Sequence, residues 1–345
     1  MAEMLPLLIS KITKNTPNAV LINFEIPETE KEKFRFEAGQ YLTVVTNINK
    51  KPERRSYSIC SAPGEEIQIG IKEVAQGVFS TYANRVLKEN DTLLVAPPEG
   101  RFQFASSQKA LRLVAFAAGS GITPIMSILK TALRDHPQHE VHLVYGNKSP
   151  EDTMFYDDLK SLAFASKGRL SIQWVFSRAS VEGSLFGRIE SNVVKNTLKN
   201  FGGKVDQFFL CGPEKMIEVV SETLKENGVS ESSISFELFT SAGAAQALPE
   251  QQGASRLEIR YDEQSHYINL PEGKSVLDVA LQHKLDVPYS CQGGVCSSCI
   301  ARVKSGSARM VSNQILTDEE VEEGLILTCQ AHPTSPDLVV DYDDV

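Results

Sequence analysis

Pro288-Tyr-Ser-Cys291-Gln-Gly-Gly-Val-Cys296-Ser-Ser-Cys299 puts three cysteines on one short loop, and Leu327-Thr-Cys329-Gln-Ala supplies a fourth. The spacing is C-x4-C-x2-C-x29-C. Three thiolates on a tight loop can wrap one side of a metal centre, and a fourth from a distant strand can close it. Gly293 and Gly294 let the backbone turn sharply and aim its N–H groups inward. Four of the six cysteines fall in this region. In a chain read as cytosolic, such a cluster points to metal before disulfide. Zinc loops usually pair C-x2-C with a second C-x2-C or a His pair. Here the second half offers only Cys329, and none of the six histidines lies in the loop. Iron with sulfide is favoured over zinc.

Outward from the loop, the 345 residues exceed what one ordinary core holds, so two or three domains are expected. The net charge of −9 argues against a nucleic-acid binder, which needs clustered Lys and Arg. Most of that charge lies in residues 255–345, with 15 acidic against 7 basic side chains. Either this is a solvated surface or it is a docking face for a basic partner. No run approaches the roughly 18 apolar residues of a membrane span. Met1–Ser10 has no basic leader pattern and reads as a first strand, which implies a cytoplasmic protein.

Three patterns succeed one another. Residues 1–105 carry short strands, at Leu7–Lys14, Ala19–Glu25, Tyr41–Asn47, Arg55–Cys60, Ile67–Val74 and Asp91–Ala96, with one helix near Phe79–Leu87. Closely spaced strands punctuated by Gly and Pro predict a small antiparallel β-barrel. In residues 106–240 strands and helices alternate, beginning with the apolar run Leu111–Ala118, which predicts an α/β domain with a parallel sheet. Residues 241–254 are small and polar and read as a linker. Residues 255–345 open with a hairpin, Leu257–Tyr261 and His266–Leu270, followed by a helix over Ser275–Lys284.

The cysteine spacing resembles that of plant-type [2Fe–2S] ferredoxins, and Pro288–Cys299 with Leu327–Ala331 resembles that domain closely. The resemblance implies an α+β β-grasp domain with Cys291, Cys296, Cys299 and Cys329 as the iron ligands. Arg55-Ser-Tyr57-Ser58 resembles the R-x-Y-S motif of the ferredoxin–NADP reductase superfamily. That likeness implies a flavin whose phosphate pairs with Arg55, whose ring packs on Tyr57 and whose N5 edge meets Ser58. The residue types suit these tasks: Arg offers a bidentate fork, Tyr a flat face with a polar tip. Ile71-Lys72 and Gly77-Val-Phe79-Ser80-Thr81 follow at the superfamily's distance. There a glycine and a helix start can cradle the pyrophosphate. Pro98-Glu-Gly-Arg-Phe102 would close the barrel, and Cys60 reads as a packed core thiol.

Gly119-Ser-Gly121-Ile-Thr123-Pro124 sits between an apolar strand and a helix, with Thr123 expected as N-cap and Pro124 at the first helical position. It lacks the third small residue of the dinucleotide fingerprint. It is similar to the superfamily's nicotinamide-nucleotide loop. Cys211-Gly212-Pro213 resembles the turn that sits beside the nicotinamide, with Pro213 expected to open a helix. Phe239 stands where relatives place an aromatic against the flavin; as a bare residue it could equally be core. Ser177-Arg178, with Arg188, could hold the 2′-phosphate of NADPH, although Arg178 could equally pair with a surface carboxylate.

Taken together, the order flavin, nucleotide, cluster resembles oxygenase reductases with a C-terminal ferredoxin, among them the reductase subunits of phenylacetyl-CoA epoxidase systems. The resemblance implies an enzyme that takes a hydride from NADPH or NADH onto FAD, with FMN left open. Single electrons then pass through [2Fe–2S] to a terminal oxygenase, hydroxylase or desaturase. Ser58 and Cys211 would border the hydride path. Two other readings stand beside it: a reductase for another acceptor, such as a hybrid-cluster protein, and a non-enzymatic redox sensor or scaffold with a zinc-stabilised C-terminal domain.

Overall fold

The computed structural model describes residues 4–105, 107, 109–239, 255–271 and 273–345. Met4–Phe239 is one compact unit and the described residues beyond it form another. The stretch 241–254, read as a linker, lies outside the described residues.

The first unit opens with six antiparallel strands: β1 (Leu5–Thr16), β2 (Ala19–Glu25), β3 (Tyr41–Ile48), β4 (Lys51–Ser58), β5 (Gln68–Lys72) and β6 (Thr92–Val95). Their order is β4-β3-β6-β1-β2-β5, and a bridge between Ile59 and Ile69 joins the two edges. Ile9, Ile22, Phe24, Leu42, Val44 and Ile69 fill the interior, and helix α1 (Val78–Arg85) seals it with Phe79 and Ala83. Strand β4 starts four residues before the expected Arg55. Asn49 and Lys50 both take positive φ, 51° and 64°, and make a two-residue hairpin turn that pairs Ile48 with Lys51.

The parallel sheet follows. It comprises β7 (Arg112–Ala118), β8 (Glu140–Asn147), β9 (Leu170–Phe176), β10 (Leu185–Phe186), β11 (Gln207–Gly212) and β12 (Ile234–Leu238), in the order β10-β9-β8-β7-β11-β12. Helices α2 (Ile122–Asp135), α3 (Tyr156–Ala165), α4 (Ser191–Phe201) and α5 (Glu214–Glu226) cross between strands. Helix α2 is buried on nearly every side. Its Ile125, Ile128 and Leu129 share one core with Ala115, Leu143 and Phe209 of the sheet and with Leu21, Ala38, Cys60, Phe102 and Phe104 from the barrel segment. The Ser127 hydroxyl, also buried, donates to the Ser61 carbonyl at 2.6 Å. The barrel and the sheet are therefore packed together, not strung side by side.

Two helix starts differ from expectation. A 3₁₀ turn over Gly119–Gly121 runs directly into α2, so the helix begins at Ile122 with Gly121 as its cap. Thr123 therefore lies inside the first turn and its hydroxyl donates back to the Ser120 carbonyl at 3.0 Å; Pro124 follows it. Pro213 keeps an extended backbone and precedes α5 as its cap, so the first helical residue is Glu214.

The second unit is a mixed sheet, β14-β13-β19-β15-β17, from β13 (Ser255–Tyr261), β14 (Gln264–Leu270), β15 (Ile300–Ser305), β17 (Leu325–Leu327) and β19 (Asp337–Asp341). The central pair β13–β19 is parallel and the other neighbours antiparallel. Helix α6 (Val276–Gln282) carries a full capping box between Ser275 and Asp278 and buries Val276, Leu277, Val279 and Ala280 against the sheet's core. A small ribbon pairs β16 (Ala308–Met310) with β18 (Ala331–Pro333), and a short helix α7 (Asp318–Glu322) precedes β17. This is the α+β arrangement expected for the cysteine-bearing domain.

Phe104 tests the shared core. It is buried edge-on against Phe209 and His139, at ring separations of 6.2 and 6.1 Å. Phe104→Ala should cost about 3–5 kcal/mol by leaving a cavity there. Barrel and parallel sheet should lose stability in one common transition, read by parallel tryptophan and flavin fluorescence during thermal unfolding.

Candidate redox centre

In open α/β sheets, ligands bind outside the carboxyl ends of the strands, where neighbouring connections diverge. Four of the expected groups sit at those ends: Gly119–Gly121 after β7, Ser177-Arg178 after β9, Gly212-Pro213 after β11 and Phe239 after β12. The turns after β7 and β11 touch. A side chain at Gly121 would strike the Cys211 carbonyl, so only glycine lets the two backbones meet. The Tyr145 hydroxyl, in the adjoining strand, donates to the Gly119 carbonyl at 2.8 Å and fixes the turn from below.

The barrel supplies the facing wall. Tyr57 lies against the ring of Phe79, 5.6 Å between centroids, and burial pushes its hydroxyl to a higher pKa. Arg55, on the same strand, is exposed and pairs with Glu53 at 2.8 Å. At the start of α1, Gly77 caps the helix and the Ser80 hydroxyl accepts from the Val74 N–H at 3.3 Å. The Thr81 N–H donates to the Gly77 carbonyl at 3.0 Å. Ile71 is buried in β5, while Lys72 beside it crosses to donate to the Asp152 carbonyl at 3.0 Å in the loop after β8. Loss of water lowers the Lys72 amine's pKa, with Asp152 opposing the effect.

Ser58 and Cys211 come together through a residue that the motifs did not reveal. The Ser58 hydroxyl donates to Glu237 Oε2 at 3.2 Å, and Glu237 stands directly opposite Cys211 in the β11–β12 register. All three are buried. Burial pushes the Glu237 carboxyl up to about 8, the Ser58 hydrogen bond opposing it. Burial, and then the neighbouring Glu237, push the Cys211 thiol well above the ordinary range. The signal for Glu237 was present but faint: one acid inside Phe236-Glu-Leu-Phe239, where a strand runs into the core. Phe239 keeps 38% of its surface exposed and is not a core residue. Cys60 is one: it is fully buried, burial pushes its thiol up to about 12, and its Sγ meets the Gln68 carbonyl at 3.2 Å.

Ser177 donates from both its N–H and its hydroxyl to the Asn147 carbonyl, at 2.9 and 3.3 Å. Arg178 and Arg188 are exposed, and among the described residues neither side chain makes an ion pair. Among the described residues no surface carboxylate claims Arg178.

In the second unit the four cysteines converge. The Cys291 thiol meets those of Cys296 and Cys329, and Cys299 meets Cys329. Hydrogen bonds from those partners pull Cys291 and Cys299 below the usual thiol range. The contacts are pairwise, and among the described residues no group of three or more His, Cys, Asp or Glu is tight enough for one metal ion. The loop's N–H groups turn inward, with Gly293 donating to Cys291 Sγ at 3.3 Å. Gly294 holds φ +74° and passes so near Ser312 that a Cβ would lie 2.7 Å from its carbonyl oxygen. Gln314 N–H donates to the Gly294 carbonyl and Gln330 Nε2 to that of Gln292, at 3.0 and 2.9 Å, tying the loop to the rest of the unit. Thiols gathered in pairs, one of them accepting a backbone N–H from the loop, suit a sulfide-bridged pair of irons.

Comparison with known proteins agrees with this geometry. The chain matches the oxidoreductase FAD-binding domain over residues 6–104, the oxidoreductase NAD-binding domain over 116–222 and the 2Fe-2S iron-sulfur cluster binding domain over 259–334. It resembles the solved phthalate dioxygenase reductase in fold, with 23% identity, TM-score 0.63 and 98% of both chains covered. The fold and the three domains define an NAD(P)H oxidoreductase that uses FAD and a [2Fe–2S] cluster. The chain is 34% identical to one of the subunits of the 1,2-phenylacetyl-CoA epoxidase of Escherichia coli (strain K12), over 98% of this chain and 97% of that one. The ferredoxin reductase component of 3-ketosteroid-9-alpha-monooxygenase from Rhodococcus rhodochrous is 29% identical, over 97% and 96%. The chain belongs to this family of flavin and iron–sulfur reductases.

Glu237 gives the centre a pH signature. Its folded pKa is raised, so the folded state holds a proton that the unfolded chain gives up. Stability from this group is full below the ordinary carboxylate range, declines as pH rises to about 8, and is level beyond. Glu237→Gln should flatten that decline, measured as thermal midpoint from pH 5 to 9. An unchanged slope would place the carboxyl's titration elsewhere.

Proposed function

We propose that this chain is the reductase of a two-component oxygenase, drawing electrons from NADPH and handing them singly to a separate oxygenase, hydroxylase or desaturase. One observation carries the reading: the motif for each of the three cofactors lies on its own sheet of a single chain, in the order hydride acceptor, hydride donor, one-electron carrier. The names of the relatives, components of an epoxidase and a monooxygenase, support the choice of partner. The functional modules are residues 1–105, 106–240 and 255–345, with 241–254 as the linker.

When bound, FAD accepts a hydride and releases electrons one at a time, which joins a two-electron donor to a one-electron carrier. The chain's own residues position and shield. Arg55 leaves Glu53 to grip the flavin phosphate, and Tyr57 backed by Phe79 offers a flat wall for the ring. Gly77, Ser80 and Thr81 cradle the pyrophosphate at the start of α1, flanked by Ile71 and Lys72. Gly119, Gly121, Thr123 and Pro124 receive the nicotinamide nucleotide, and Cys211, Gly212 and Pro213 hold the nicotinamide itself. Ser58 and Cys211 border the hydride path, and Glu237 holds a proton between them. Phe239, partly exposed after β12, would cover a bound flavin and give way to the nicotinamide. Cys291, Cys296, Cys299 and Cys329 hold the irons.

Arg178 after β9 and Arg188 after β10, neither in an ion pair among the described residues, favour with Ser177 the extra phosphate of NADPH over NADH. A charge-assisted hydrogen bond is worth about 1.5–3 kcal/mol. Arg178→Ala should therefore raise KM for NADPH about ten-fold or more and leave KM for NADH unchanged; equal effects on both would reverse the assignment. We infer a cytoplasmic protein, because four cysteines kept as reduced iron ligands suit a reducing compartment. No described helix is long and apolar enough to cross a membrane.

The relay order is tested by Cys296→Ser. It should abolish electron delivery to the partner oxygenase and retain NADPH-to-ferricyanide turnover at the flavin. Full partner turnover in that variant would refute the order. Arg55→Ala should lose flavin during gel filtration, and a full flavin load would remove the phosphate contact from the reading.

A further inference from the structure

The loop between β8 and α3 is strapped to the barrel at two points. Strand β1 carries an extra residue near its end: Lys14 pairs with Val20 and Thr16 with Ala19, which leaves Asn15 as a bulge. A bulge re-aims its side chain away from the ladder. Asn15 Oδ1 accepts the Phe155 N–H at 2.9 Å, across 140 residues of chain. Lys72, at the end of β5, reaches the same loop, where its Nζ donates to the Asp152 carbonyl at 3.0 Å. The two anchors are neighbours on the barrel, because Ala19 of β2 pairs with Thr16 on one side and with Lys72 on the other.

The strap enforces a conformation the loop would not keep by itself. Phe155 caps α3 in the left-handed region, at φ 58° and ψ 25°. That backbone is unfavourable for a bulky side chain and persists only where the surroundings impose it. Here the ring is buried in the shared core and the N–H is held by Asn15. Between the two anchored residues the loop is a closed turn. The Thr153 N–H donates to the Pro150 carbonyl at 3.0 Å, and its hydroxyl to the Ser149 carbonyl at 2.7 Å. Met154 is buried, and its Cε lies 3.0 Å from where a side chain on Gly70 of β5 would begin. A turn tied in this way moves as a body, so releasing Phe155 displaces the Asp152 carbonyl.

Lys72 depends on that carbonyl. An ammonium has three protons to give, and Asp152 takes one. Among the described residues Lys72 makes no ion pair. It is thus a half-buried cation with donors to spare. Gly70, two residues before it, lies against Thr123 of the nucleotide turn, and Gly77 follows five residues after it.

We propose that Asn15 is a positioning residue: by latching Phe155 it sets the carbonyl that aims the Lys72 ammonium at a phosphate of a bound dinucleotide. No bond is made or broken. This rests on the reading of Lys72 as a cofactor residue. The phosphate belongs either to the flavin, cradled at Gly77, or to the nicotinamide nucleotide, received at Gly119–Thr123, and the test separates the two.

The test uses the full-length holoenzyme. Affinity for NADP+ is read from the flavin difference spectrum, and affinity for FAD from flavin release on dilution, followed by fluorescence. Lys72→Met should weaken one of the two about ten-fold or more. Asn15→Ala should weaken the same one about three-fold or more and leave the other unchanged, and it should add nothing in the double variant with Lys72→Met. The dinucleotide affected identifies the phosphate. A merely structural latch would weaken both, or would add in full to Lys72→Met, and either result overturns the proposal. So would wild-type affinities in Asn15→Ala. Asn15→Ser, one atom shorter in reach, takes its place if Asn15→Ala does not fold. Failure of the Lys72 reading would look different: Lys72→Met would bind both dinucleotides as the wild type does, which overturns the proposal from its other end.

Discussion

The burial of helix α2 on nearly every side is the constraint from which the nucleotide and flavin regions take their geometry. A helix at the surface of an α/β sheet normally keeps one polar face. This one has the sheet on one side and the barrel segment on the other, with Phe102 and Phe104 reaching onto Phe209. Packed cores resist small displacements because they are filled to near crystalline density. The turn that feeds α2 is therefore held in place against Cys211, and β5 comes close enough that Gly70 admits no side chain beside Thr123. The groups proposed for two cofactors thus rest on one core.

That rigidity explains how a carboxyl can stay buried beside a thiol and a hydroxyl. Among the described residues Glu237 has one hydrogen-bond donor, Ser58, and no cation in contact, so burial favours its neutral form. A buried carboxyl of this kind persists only if the surroundings cannot relax to expose it. The β11–β12 register fixes it from the strand side, and the barrel end carrying Ser58 fixes it from the other. Perturbed groups collected in a cleft mark functional sites more often than structural ones, and this set lies where the two motif-bearing walls meet.

Much of this was legible in the residues, and what was not has identifiable physical causes. The cysteine spacing is a covalent requirement and appears directly in the sequence. The apolar runs of β7, β8 and β11 and the Gly-rich turn between β7 and α2 are likewise local signals. Thr123 misled because a 3₁₀ turn extended the helix backwards by enough to bring it inside the first turn. The strand at Arg55 began earlier because Asn49-Lys50 makes a hairpin turn without glycine, by adopting left-handed backbone at both positions. Glu237 gave only a faint signal for another reason. Its partner is 179 residues away in the chain, and only the tertiary fold brings it to the Ser58 hydroxyl.

The two units also solve different positioning problems by different means. Hydride transfer needs heavy atoms in near contact, so the first unit relies on steric closeness: a glycine at 121 against backbone, an aromatic pair at Tyr57 and Phe79, a shared apolar core. Single-electron transfer tolerates greater separation, and what matters is the energy of the added charge. The second unit accordingly places polar detail around the cysteine loop: an inward N–H at Gly293 and a side-chain tie from Gln330 to the Gln292 carbonyl.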